Sequence, residues 1–140
     1  MANRTKKAGT FWFEGDLKAF ALKNEFFRRV IFTGKHSQLA VMNIPKGKQS
    51  ESERQDADRI VFIVQGKGKS ILNGRKRDVA KHDVIFVPEG KVHSLANPFT
   101  HDLKVIVVYS PPVFPDGKIH ETWKDVLSDK EAAYEHAWEQ

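Results

Sequence analysis

Residues 82–97 read HDVIFVPEGKVHSLAN. An apolar run from Val84 to Val87 meets a Pro-Glu-Gly turn, and a second run carries His93, Leu95 and Asn97 at alternate positions. Alternate residues of a strand share a face, so these three point the same way. Pro88 presets φ at the second position of a turn beginning at Val87, and Gly90 suits its fourth. A tight turn followed by a strand histidine is half of a metal site, because one imidazole does not hold a cation. Any further donors must come from other strands.

Outward from this stretch the chain is a series of short β-type runs: RRVIFTG, QLAVMNI, RIVFIVQ, GKSIL, KRDVA, DVIFVP, KVHSLAN and DLKVIVVYS. Many short strands at close spacing argue for an all-β sandwich or barrel. Asn73-Gly74 suits a two-residue type I′ hairpin, in which both central residues take positive φ. After residue 110 the prolines Pro111, Pro112 and Pro115 break any ladder. Ser128 stands three residues before Glu131, a capping-box signature that predicts a C-terminal helix over SDKEAAYEHAWEQ. At the other end Phe11, Trp12, Phe13, Leu17, Phe20 and Leu22 form an apolar arm. The predicted organisation is an arm over 1–23, a barrel over 24–112 and a C-terminal extension with a helix over 113–140.

Composition narrows the chemistry. At 140 residues, 40% hydrophobic and 29% charged, the chain suits one globular domain with a core. It has no cysteine, which excludes disulfides, thiolate ligands and a cysteine nucleophile. No apolar run reaches the length of a signal peptide or of the roughly 20 residues of a membrane span, so a cytoplasmic protein with no membrane partner is expected. The net charge is +5, but apart from RTKK and GRKR the basic residues are interspersed with acidic ones. A solvated basic surface, rather than nucleic-acid binding, is expected. P-loop, dinucleotide and G-x-S-x-G patterns are absent from the sequence.

The run from His82 to Asn97 closely resembles the second signature of the cupin superfamily, a glycine, five residues, then P-x-G-x-x-H-x-x-x-N. Pro88, Gly90, His93 and Asn97 are in register, and His82 replaces the leading glycine. RIVFIVQGKGKSILNGRKRDV resembles the strand, glycine turn and hairpin that follow the first signature. FFRRVIFTGKHSQLAVMNIPKG and VYSPPVFPDGKIHETWKD are similar to the flanks of small bacterial single-domain cupins. The resemblance covers about residues 25 to 126. It implies an all-β jelly-roll barrel of roughly six to eight strands with an internal pocket, commonly in a dimer.

In metal-dependent cupins the first signature supplies two histidines and a glutamate, and the second one histidine. Here the corresponding stretch is IPKGKQSESERQDADRIVFIVQG. Counting back from Gly66, the glutamate position falls at Arg59, and the histidine pair falls at Ser52 and Arg54 or at Glu53 and Gln55. Neither register contains a histidine. Guanidinium groups stay protonated and repel a cation, so if Arg54 and Arg59 point inward with His93 the site suits a carboxylate or phosphate. Arg59 has a structural alternative in pairing with Asp56 and Asp58. Arg54 has one as a solvated loop residue, and Asn97 one as a strand-end turn residue. His36, His82, His101, His120 and His136 are expected at the surface.

The leading expectation is therefore a small-ligand protein without a metal cofactor. Its ligand site is expected at His93, Arg59, Arg54, Ser52 and Asn97, and its ligand is an acidic small molecule. The alternatives are a metal-dependent isomerase or dioxygenase, holding a divalent metal through His93 with Glu51 or Glu53, and a structural or regulatory dimer. The aromatic arm is expected to cover its own barrel or to cross to a partner in a homodimer.

Overall fold

The computed structural model describes residues 12–50, 53–128 and 134–136. Among the described residues, eleven strands form two antiparallel sheets. In chain order they are β1 Arg28–Thr33, β2 Gln38–Ile44, β3 Glu53–Gln55, β4 Asp58–Gln65, β5 Lys67–Leu72, β6 Arg75–Ala80, β7 Val84–Val87, β8 His93–Ala96, β9 Leu103–Ser110, β10 Ile119–His120 and β11 Tyr134–His136. One sheet has the order β10-β1-β2-β9-β4-β7 and the other β11-β3-β8-β5-β6. The inner faces meet in a core that includes Val30, Met42, Val61, Leu95, Val105 and Val107. All eight β-type runs read from the sequence are strands.

β2 is apolar on both faces for a reason that lies outside the barrel. Ala40, Met42 and Ile44 enter the core, whereas Leu39 and Val41 pack in a second cluster with Phe13, Leu17, Phe20 and Ala21. These last residues belong to the arm. Its helix, α1, spans Leu17–Lys23, capped by Asp16, whose Oδ1 accepts from the Ala19 N–H at 3.0 Å. Leu17, Phe20 and Ala21 follow the i, i+3, i+4 spacing of one helical stripe. The arm thus covers the outer face of its own six-stranded sheet.

The turns define the ends. Asn73 and Gly74 have φ of 51° and 78°, as a type I′ hairpin requires. The 88–91 turn begins one residue later than expected. The Lys91 N–H donates to the Pro88 carbonyl at 3.2 Å and Gly90 has φ 81°, so glycine is third rather than fourth, where a type II turn demands positive φ.

The C-terminal extension departs most from expectation. A short helix is present, but it is α2 over Trp123–Ser128, ending where the capping box was expected to begin. Asp125 anchors its start, its Oδ2 accepting from the Glu121 and Thr122 N–H groups at 2.9 and 3.1 Å. Residues 134–136, expected as helix, pair as β11 with β3. A helix there would leave the backbone groups along that edge of β3 unpaired, and a strand satisfies them. Residues 129–133 and 137–140 lie outside the described residues. Val113, Phe114 and Val126, all beyond residue 112, sit in the barrel core.

Candidate functional site

The second signature positions its histidine as the alternation predicts. His93 opens β8, is buried, and faces inward with Leu95. Across the barrel, Arg59, the second residue of β4, is 5% exposed and points into the same interior. Between them lies a cavity of about 30 Å³. Its polar lining is Arg28, Ser50, Gln55, Arg59, His93 and Tyr109. One water needs roughly 10–15 Å³ of such space, so the cavity holds a few atoms and no more.

Most of the lining is braced by hydrogen bonds. Arg59 Nη2 donates to the Lys91 carbonyl at 2.7 Å, which ties the 88–91 turn to the cavity. Arg28 Nε donates to the Tyr109 hydroxyl at 3.0 Å, its Nη1 lies 3.2 Å from His120 Nδ1, and its guanidinium stacks 4.6 Å from the Phe114 ring. His93 Nε2 lies 2.9 Å from Ser70 Oγ on β5. Gln55 is 1% exposed, and its Oε1 has no hydrogen-bond partner among the described residues.

Electrostatics follow from this lining. Burial, and then the Arg59 positive charge, lower the His93 pKa from 6.5 to about 4. The imidazole is therefore neutral at physiological pH, with one ring nitrogen donating and the other accepting. It cannot add to the positive potential of the guanidinium groups.

The other expected site residues fall elsewhere. Arg54 does not line the cavity: β3 turns Gln55 inward, and Arg54 Nε donates to the Gly90 carbonyl at 3.1 Å. A one-residue change of phase reverses a strand's faces, and this was the point the sequence left open between two registers. Asn97 is fully buried but is not part of the lining. Its Nδ2 donates to the Ile44 and His101 carbonyls, and its Oδ1 accepts from the Phe99 N–H, so it braces a loop. Ser52 lies outside the described residues. Sequence reasoning missed Arg28, Tyr109 and His120. His120, expected at the surface, is 1% exposed because β10 pairs it with Arg28.

A family profile described as Cupin domain matches residues 40–109. The chain belongs to the cupin family. This cupin is 33% identical over 114 residues to the Bacillus subtilis protein YrkC, covering 76% of the chain and 61% of YrkC. It is 35% identical over 105 residues to a protein of Acanthamoeba polyphaga mimivirus, covering 70% of the chain and 64% of the relative. The chain thus spans somewhat over three fifths of the length of these curated relatives. Among solved structures, BH2720 from Bacillus halodurans is similar with a TM-score of 0.82 at 26% identity, covering 87% of this chain and 98% of that one.

Cupins commonly carry a divalent metal where this cavity lies, and the described lining does not fit one. A divalent cation needs several lone-pair donors, and here one imidazole stands with two guanidinium groups. Among the described residues no group of three His, Cys, Asp or Glu side chains is placed to hold a metal. No helix among the described residues is long and apolar enough to cross a membrane.

Proposed function

We propose that this cupin binds a small acid whose carboxylate enters the interior cavity beside Arg59 and His93. The observation that carries this reading is the lining. The guanidinium groups of Arg28 and Arg59, the Tyr109 hydroxyl and a neutral imidazole converge where a cation-binding cupin would present lone pairs. A planar guanidinium fork matches a carboxylate, and burial strengthens such charge-assisted bonds. The volume of about 30 Å³ restricts the buried portion to a head group, so the rest of the ligand lies towards the rim formed by the 88–91 turn.

The test is calorimetric titration of the protein with formate, acetate and small hydroxy acids, beside Arg59→Gln and Arg59→Lys. Saturable binding to the native chain is expected, weakened about tenfold or more in Arg59→Gln. Arg59→Lys keeps the charge without the fork and should fall between the two. Acid affinities that are equal in all three proteins, each shown folded by circular dichroism, would remove Arg59 from the site and this reading with it.

A further inference from the structure

The inner face of the five-stranded sheet continues beyond the cavity. Residues opposite one another in an antiparallel pair point to the same side. The register runs His93–Leu72–Arg75 and Leu95–Ser70–Arg77 across β8, β5 and β6. Arg75 and Arg77 therefore share a face with His93 and Leu95, yet both are exposed. Among the described residues, β6 and β7 are each an end strand of its sheet, paired on one side only, with β5 and β4 respectively, and not with one another. Between them is a groove of about 810 Å³, with Leu72, Val79 and Ile85 giving it an apolar floor beside the two arginines.

The size separates this groove from the interior. Small-molecule sites run from roughly 300 to 1,000 Å³, a range that includes the groove and excludes the cavity of about 30 Å³. Charged residues on an edge strand have a plainer use, since they discourage pairing with another sheet. Lys76, Asp78 and Asp83 also border the groove, but both carboxylates already have partners: Asp78 pairs with Lys69 at 2.6 Å, and Asp83 Oδ2 accepts from the Ala80 N–H at 2.8 Å. Two arginines at alternate positions on the inner face, above apolar side chains, do something more specific. They set a pair of forked donors along one side of a trough whose floor favours hydrocarbon.

We propose that the groove between β6 and β7 binds an amphiphilic carboxylate, its head group on Arg75 and Arg77 and its apolar body on Leu72, Val79 and Ile85. This goes beyond the interior reading and requires neither Arg59 nor Gln55. Ser70 borders the groove and also contacts His93, so the two sites meet at one hydroxyl.

The probe is decanoate below its micellar concentration, titrated into the isotopically labelled full chain and followed by amide chemical shifts. Saturable shifts on β5, β6 and β7 are expected. The Arg75→Gln/Arg77→Gln double variant, with an otherwise native spectrum, should bind at least about tenfold more weakly, and decanol should bind the native chain more weakly by a similar factor. No saturable shift would overturn the proposal. So would decanol matching decanoate, which would show apolar adhesion, or a double variant that binds normally, which would leave the arginines as edge protection alone. Shifts confined to Gln55, Arg59 and His93 would overturn the groove while upholding the interior site. Vesicles of phosphatidylglycerol present similar chemistry from a bilayer, and co-sedimentation with them in the absence of decanoate shifts would overturn the free-acid assignment.

Discussion

Burial and the Arg59 guanidinium hold His93 neutral down to about pH 4, whereas an unfolded chain protonates it near 6.5. Between these values the unfolded state binds the extra proton. Stability from this group is therefore complete above pH 6.5 and is lost as pH falls towards 4. In urea unfolding, the native protein should lose about 2 kcal/mol more than His93→Gln between pH 7 and pH 4.5. Parallel losses in the two proteins would show that the buried imidazole is not held neutral. His93 was legible in the sequence because a turn and an alternating strand announce it. Arg28 and His120 were not, since their burial depends on a two-residue strand, β10, that brings positions 28 and 120 together. At His82 the structure explains a departure: φ is 83°, the left-handed region where the family's glycine is the natural occupant.

At the scale of the element, the arm shows how a local signal and a distant surface combine. Asp16 satisfies the first turn of α1, but a seven-residue helix is marginal alone and is held by packing. Phe20 and Leu17 supply that packing against Leu39, Val41 and Ile106. Asp16→Ala should cost about 1 kcal/mol and Phe20→Ala about 2 kcal/mol in denaturant unfolding. If neither changes the midpoint, the arm does not stabilise the barrel. The apolar letters of the arm were legible, and so were the eight main strands, because alternation and turn residues are local. β3 and β11 were not. Each has three residues, too few to display a period, and each is fixed by its neighbours along the sheet. The phase of β3 matters most, because it decides that Gln55 rather than Arg54 reaches the interior.

For the whole molecule, the two facing sheets enclose a positive, nearly filled interior at one place and leave a groove at another, between β6 and β7. A metal-loaded cupin would couple its fold to the ion, and this interior predicts that the present chain does not. A cation held at a hundred times its dissociation constant adds about 2.7 kcal/mol to stability. For a domain of this size that corresponds to roughly 10 °C in Tm. Dialysis against a strong chelator should therefore leave Tm unchanged within about 1 °C, and elemental analysis of the untreated protein should find well under one transition metal per chain. The donors that would contradict this are Glu51 and Glu53, which flank the position of Ser52 in the sequence; the backbone of Glu53 pairs with that of His93. A chelator-induced fall of several degrees, restored by one divalent metal and absent in His93→Ala, would place a carboxylate from that segment beside the imidazole. The guanidinium groups of Arg28 and Arg59 would then be second-rank neighbours of a cation, and the interior could no longer be the seat of an acid's head group.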